Sequence, residues 1–136
     1  MINIIVITHG EFGAYLVEAA ESIVGRQEEG VRTISISARV AVGELRERIR
    51  RALHDLRSPQ GIILFTDMFG GTPSNLSFPL IKDMPQTEVI SGVNLYMLVS
   101  AFTHRADCHL PELMEKVIAD GQKSVCDIRR RVLLRS

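Results

Sequence analysis

Two hydrophobic periodicities alternate along the chain of 136 residues, and this alternation constrains the fold more than any other feature of the sequence. Short runs rich in β-branched residues are typical of strands and occur at 2–8, 31–36, 61–66 and 87–93. Apolar residues at helical spacing predict helices at 12–23, 45–56, 74–81, 95–102 and 111–119. Strands that alternate with helices predict an α/β fold, with an open, mostly parallel, doubly wound sheet and helices on both of its faces.

Two segments of this pattern differ from the others. The segment 61–66 is apolar throughout, as expected of a strand that is covered on both faces. The last segment, 123–134, contains Ser-Val-Cys-Asp-Ile and predicts a final strand. Because no repeat, low-complexity tract or long linker interrupts the chain, we expect residues 1–136 to form a single domain, with 123–136 as its C-terminal strand and basic tail.

Charge and composition exclude several classes of protein. The 16 basic and 16 acidic residues sum to zero, which argues against nucleic acid as a partner, since a dedicated binder usually carries a basic excess. The net charge of zero is a cancellation. Residues 123–136 carry five basic side chains and one acidic side chain, Asp127, whereas residues 1–122 carry 11 basic and 15 acidic side chains. No apolar run approaches the roughly 18 residues that span a bilayer. Two cysteines imply no disulfide framework, and we expect a cytoplasmic protein.

Polar side chains follow three of the predicted strands, at the sheet edge where α/β proteins place their chemistry. His9 precedes Gly10, which permits a tight turn, and it lies near a helix N-terminus that favours an anion. Asp67 has the same relation to the third strand as His9 to the first, and Asn94 follows the fourth. A carboxylate beside an imidazole binds one ring nitrogen and leaves the other as a nucleophile. The alternatives are a histidine that only ends its strand and an aspartate that caps its own loop.

The loop after Asp67 contains a glycine pair. Gly70 and Gly71 permit successive N–H groups to converge on an anion, Thr72 adds a hydroxyl, and Pro73 suits the start of a helix. Neither a phosphate-binding P-loop nor a dinucleotide motif is present, so no nucleotide cofactor is expected. From spacing alone, a plain tight turn and a phosphate cradle both remain open.

His104, Cys108 and His109 form a cluster at spacing that invites a metal site. No C-x-x-C or H-E-x-x-H motif accompanies them, and Cys126 is distant in sequence. We therefore expect no metal, and we favour a surface or core role for these side chains over a metal hydrolase that would also use His9.

Three segments together resemble a known family. They are Thr8-His9-Gly10, Thr66-Asp67-Met68-Phe69-Gly70-Gly71-Thr72-Pro73-Ser74-Asn75, and Ser91-Gly92-Val93-Asn94-Leu95. In this order they resemble the mannose-family enzyme IIA of the phosphoenolpyruvate-dependent sugar phosphotransferase system, and the resemblance extends from Ile2 to about Ile128. The intact F-G-G-T-P-S-N segment favours this branch over the related subunit of dihydroxyacetone kinases.

The resemblance implies a phosphocarrier that uses no metal or other cofactor. It implies that His9 accepts a phosphoryl group from the phosphohistidine of HPr and passes it to an enzyme IIB component, while Asp67 orients the ring. Thr72, together with Gly10, Gly70 and Gly71, would hold the phosphoryl group. The protein would meet membrane components only peripherally.

The resemblance also implies a homodimer in which a C-terminal strand, matched by 123–132, runs antiparallel in the partner's sheet. Tyr96 stands where the family usually has proline, which predicts a different shape for that loop. The chain ends at Ser136 without the IIB domain that some members carry. The alternative function is therefore a stand-alone regulatory phosphoprotein, whose phosphorylation state controls partners without sugar transport.

Overall fold

The computed structural model describes residues 1–134, which form four strands and six helices. The strands are β1 (Asn3–His9), β2 (Val31–Ile36), β3 (Ile62–Thr66) and β4 (Thr87–Ser91). The helices are α1 (Phe12–Val24), α2 (Val42–Asp55), α3 (Thr72–Ile81), α4 (Leu95–His104), α5 (Leu110–Lys123) and α6 (Ile128–Leu133). The α/β class and the alternation of strands and helices predicted from the sequence are confirmed.

All four strands are parallel, in the order β2-β1-β3-β4. The chain leaves β1 for the outer strand β2 and then returns to the other side of β1 to form β3. This reversal of direction creates a crevice beyond the carboxyl ends of β1 and β3, the place where open α/β sheets bind ligands. Ile7 pairs with Thr66, so the residues that follow these strands emerge side by side.

Apolar side chains cover both faces of the sheet, which is why the central strands are apolar at every position. Helices α1, α4 and α5 pack on the face that contains Ile4, Val6, Ile63 and Phe65. Helices α2 and α3 pack on the face that contains Ile5, Ile7, Ile62 and Leu64. The predicted doubly wound arrangement is confirmed. Among residues 1–134, no helix combines the length and the apolar character needed to cross a membrane.

The prediction of a strand in the C-terminal segment is wrong for the single chain. Helix α5 continues to Lys123, and Ile128–Leu133 forms α6, whose first turn is capped by Asp127 Oδ1 accepting from the Arg130 N–H at 3.2 Å. A strand needs a neighbour to satisfy its backbone groups, whereas a helix satisfies them within itself. Exchange of this segment between two copies stays a prediction. Arg135 and Ser136, the last two residues of the predicted C-terminal segment, lie outside the described residues.

Candidate functional site

His9 and Asp67 are in direct contact at the crevice between β1 and β3. Asp67 Oδ2 accepts a hydrogen bond from the His9 backbone N–H at 2.9 Å and lies 2.8 Å from His9 Nδ1. Asp67 Oδ1 accepts from the Met68 N–H at 2.9 Å. The carboxylate therefore fixes the backbone and the ring of His9 together, while the His9 side chain stays 52% exposed.

The electrostatics of the pair select one tautomer of the histidine. Partial burial is the largest influence on the pKa of Asp67 and acts to raise it. The backbone and side-chain hydrogen bonds from His9, and its charge, together outweigh this, so the pKa of Asp67 lies below its ordinary value. An ionised carboxylate can only accept, so the ring proton lies on Nδ1. Nε2 then presents its lone pair and has no hydrogen-bond partner among residues 1–134.

The glycine pair forms a β-turn beside the imidazole. The Gly71 N–H donates to the Met68 carbonyl at 3.2 Å, which closes a turn with Gly70 at its third position. Gly70 has φ +83°, the left-handed value that a type II turn requires there and that glycine adopts without strain. The turn projects Phe69 into solvent at 89% exposure. A Cβ on Gly71 would lie 3.3 Å from His9 Cε1, so the glycine backbone borders the ring directly.

The predicted phosphoryl-binding residues fall into two groups. The Gly10 N–H already donates to the Ile36 carbonyl at 2.9 Å, and the Gly71 N–H closes the turn. Gly70 N–H and Thr72 N–H make no hydrogen bond within the described part of the chain. Thr72 is exposed as the first residue of α3, where backbone N–H groups lack helical partners. Gly70 and Thr72 therefore offer amides to an anion, while Gly10, at φ +56°, shapes the exit from β1.

Sequence reasoning assigned no role to three side chains that hold the site. Thr8, fully buried, accepts the Gly13 N–H on its hydroxyl at 2.7 Å and so anchors the start of α1. The Ser74 hydroxyl donates to the Met68 carbonyl at 2.9 Å, and Asn75 Nδ2 donates to the Gly70 carbonyl at 3.2 Å. All three lie in the segments that carry the resemblance. A hydroxyl or amide side chain near a strand end or in the first turn of a helix is the signal that could have found them.

The other residues singled out from the sequence lie elsewhere. His104 ends α4, Cys108 packs against the core, and His109 immediately precedes α5, its N–H donating to Glu112 at 3.4 Å. Within residues 1–134, no group of three or more His, Cys, Asp or Glu side chains has an arrangement that could hold a metal. Tyr96 is 57% exposed in the first turn of α4.

Asn94 and a cavity lie at opposite ends of the strands. Asn94, at the carboxyl end of β4, caps α4 by accepting the Met97 N–H at 3.0 Å, and does not reach the His9 pair. A cavity of about 780 Å³ lies at the opposite edge, beside Ile62 and Thr87, where β3 and β4 begin. This cavity therefore lies at the opposite end of the strands from the His9–Asp67 contact.

A family comparison agrees with this geometry. The family model described as PTS system fructose IIA component, EIIA-man, matches residues 3–118. The chain belongs to the EIIA-man family. Membership makes it a component of the sugar phosphotransferase system and supports a phosphocarrier role, in a family whose members are phosphotransferases.

Individual relatives bear out the membership. The chain is 28% identical to the PTS system fructose-specific EIIA component of Bacillus subtilis, over 91% of this chain and 84% of that protein. It is 31% identical to the PTS system mannose-specific EIIAB component of Escherichia coli K12, over 91% of this chain but only 38% of that longer protein. A crystal structure of an EIIA component from Streptococcus agalactiae superposes with a TM-score of 0.86 at 32% identity, covering 96% of this chain and 99% of that one.

Proposed function

We propose that this EIIA accepts a phosphoryl group from phospho-HPr on Nε2 of His9 and passes it to an enzyme IIB component. The observation that carries the proposal is the contact between His9 Nδ1 and Asp67 Oδ2 at 2.8 Å, which leaves the second ring nitrogen exposed at the crevice. Sugar uptake and phosphorylation would then be the work of the components downstream of IIB.

The proposed step balances without a metal or a nucleotide. The Nε2 lone pair of His9 forms a bond to phosphorus as the P–N bond of the donor phosphohistidine breaks, and the donor imidazole keeps the bonding electron pair. The proton on Nδ1 stays in place throughout. His9 thereby gains positive charge on its ring, which the Asp67 carboxylate neutralises across the hydrogen bond. Transfer to IIB is the same step in reverse, with a new acceptor.

The transferred group needs donors for its oxygens. The Gly70 N–H lies on the turn that borders His9. The Thr72 N–H and hydroxyl lie at the start of α3, which adds the favourable end of a helix dipole. The exposed side chains of Met68 and Phe69 surround this position with apolar surface. We infer that the donor and the acceptor proteins dock against this rim in succession.

A labelling experiment tests the proposal. Incubation with phosphoenolpyruvate, enzyme I and HPr should give an acid-labile phosphate, which enzyme IIB then removes. His9→Gln should take no label, whereas His54→Gln, at an exposed position on α2, should behave as wild type. Equal labelling of His9→Gln would refute the assignment. Label that no enzyme IIB component can remove would favour the regulatory alternative instead.

We also propose that two copies associate through the C-terminal segment. Five large apolar side chains there are at least 60% exposed in the single chain, namely Val125, Ile128, Val132, Leu133 and Leu134. Light scattering should report two chains for the full protein and one for a chain that ends at Ser124, with the circular dichroism of the remaining helices retained. A truncated chain that still forms pairs would place the contact elsewhere.

A further inference from the structure

Met68 is held at both of its backbone ends, although it lies in an exposed turn. Its N–H donates to Asp67 Oδ1 at 2.9 Å. Its carbonyl accepts from the Ser74 hydroxyl at 2.9 Å and from the Gly71 N–H at 3.2 Å. Met68 and Phe69 are 57% and 89% exposed, so the turn has little packing of its own to define its position. Hydrogen bonds therefore determine where the turn lies: those to Met68, and the one from Asn75 Nδ2 to the Gly70 carbonyl.

The direction of these bonds follows from the number of protons. A serine hydroxyl has a single proton, and a carbonyl can only accept, so Ser74 gives its proton to Met68. Thr66 Oγ1 lies 2.7 Å from Ser74 Oγ and must therefore be the donor in that contact. Thr66 is fully buried at the end of β3. A directed chain thus extends from Thr66 through Ser74 to the Met68 carbonyl, and it ties the exposed turn to the buried strand.

Two constraints on the His9 ring meet at Met68. Asp67, which binds Nδ1, is oriented by the Met68 N–H. Gly71, which borders Cε1, is held by the Met68 carbonyl. If the carbonyl loses its tie to Ser74, the Met68 residue can rotate, and both constraints loosen together.

We propose that Ser74 is a positioning residue for phosphoryl transfer at His9. It does not touch the ring. Its hydroxyl, oriented by that of Thr66, fixes the Met68–Gly71 turn and so keeps Asp67 and Gly71 on two sides of the imidazole. The inference rests on the proposed function of His9, and it adds a role for a serine in the first turn of α3.

The test compares labelling rates and the tautomer of His9 in matched variants. Ser74→Ala should slow labelling by phospho-HPr about three- to tenfold, the effect of one lost hydrogen bond. ¹⁵N NMR of the neutral imidazole should show the ratio of Nδ1–H to Nε2–H tautomers falling by a similar factor, because the hydrogen bond between Asp67 and Nδ1 weakens. Ser74→Thr keeps the hydroxyl and should restore both values to within about twofold of wild type.

Ser77→Ala is the matched control. Ser77 lies on the same helix, is fully buried and donates its hydroxyl to the Pro73 carbonyl at 2.6 Å, away from the turn. Ser77→Ala should lower the free energy of unfolding without a change in labelling rate or in tautomer ratio. Because Ser74→Ala leaves the buried Thr66 hydroxyl unpaired, the double variant Thr66→Val/Ser74→Ala removes that orphan. The double variant should retain the same slow labelling and the same altered ratio.

The outcomes separate the inference from the proposed function. Labelling of Ser74→Ala and of the double variant within twofold of Ser77→Ala would overturn the inference. Slower labelling with an unchanged tautomer ratio would also overturn it, since a loss of folded protein alone has that effect. If wild type takes no label at all, the proposed function fails, and the tautomer ratio still decides whether Ser74 positions His9.

Discussion

A single carboxylate oxygen holds His9 by two groups. Asp67 Oδ2 accepts one hydrogen bond from the His9 backbone N–H at 2.9 Å and a second from the ring Nδ1–H at 2.8 Å. Because both bonds end on one atom, the ring cannot tilt independently of the end of β1. An aspartate that capped only its own loop, the alternative open from the sequence, would use the Met68 N–H alone. Asp67 does both: its Oδ1 caps the loop through the Met68 N–H, and its Oδ2 binds His9.

The lowered pKa of Asp67 predicts a pH dependence of stability. A carboxyl whose folded pKa lies below its unfolded value stabilises the fold above the unfolded pKa and loses that contribution as pH falls through the folded pKa. Wild type should therefore exceed Asp67→Asn in free energy of unfolding at pH 6. The difference should shrink below about pH 4. Urea denaturation of both proteins across this pH range measures it.

Asp55→Asn is the control for this comparison. Asp55 pairs with Arg32 at 3.0 Å, but both side chains are about 40% exposed or more, so the change should cost less than about 0.5 kcal/mol. A difference between wild type and Asp67→Asn that does not vary with pH would contradict the role given to the His9 contact.

At the scale of elements, the ends of β1 and β3 share one hydrogen-bonding arrangement. Thr8 and Thr66 are each the buried residue before a site residue, and each binds the following loop or helix through its hydroxyl. The hydroxyls thus fix the starts of α1 and α3 against the sheet. The Gly70-Gly71 pair forms a tight turn beside His9, which confirms one of the possibilities open from the sequence, while its phosphate-binding role stays a prediction.

The close approach of this turn predicts the effect of a single methyl group. On Gly71, a Cβ would lie 3.0 Å from Met68 Cγ, 3.2 Å from the Met68 carbonyl oxygen and 3.3 Å from His9 Cε1. At φ −83° the backbone itself accepts alanine, so the cost is steric. Gly71→Ala should lose about 1 kcal/mol of stability and slow the labelling of His9 several-fold. Urea denaturation and label uptake give the two values.

Gly43→Ala is the matched control for that methyl group. Gly43 lies near the start of α2 with nothing within 4 Å of the added Cβ. The variant should gain up to about 1 kcal/mol from helix propensity and label at the rate of wild type. Unchanged labelling of Gly71→Ala would show that the turn does not confine the ring.

At the scale of the whole molecule, the two ends of the strands have different roles. The exposed site lies at the carboxyl ends, while Arg105, which is 2% exposed, binds the backbone near the amino ends. Its guanidinium donates to the carbonyls of Ile2, Glu29 and Gly30 and to the side chain of Gln27. One side chain thereby joins the end of α4 to the starts of β1 and β2.

Loss of this side chain should destabilise the fold without disturbing the chemistry. Arg105→Met removes the four hydrogen bonds of the buried guanidinium and should lower the free energy of unfolding by about 3 kcal/mol, measured in urea. Arg26→Met, at a side chain that is 82% exposed, should change it by less than about 0.5 kcal/mol. Folded Arg105→Met should label at the wild-type rate. A large loss of labelling would mean that the two ends of the strands are coupled.

The sequence predicts more of this architecture than of its contacts. Local periodicity identified the strands and five helices, because one buried face imposes a regular spacing on its apolar residues. It could not identify α6, since 123–134 satisfies a strand pattern as well as a helical one. The choice depends on whether a neighbouring strand is available. In the single chain the segment pairs with no strand, and Asp127 caps a helix instead.

By itself, the sequence determined that His9 lies at the end of one strand and Asp67 directly after another, and that a glycine turn follows Asp67. Only the tertiary structure decided that the two side chains touch, because β2 lies between β1 and β3 in the chain but outside them in the sheet. Burial explains this order. The strands β1 and β3 are buried along nearly their whole length and take the centre, whereas β2 and β4 have partly exposed residues and take the edges. The hydrophobic effect on the whole sheet, rather than any local pattern, brings the imidazole and the carboxylate together.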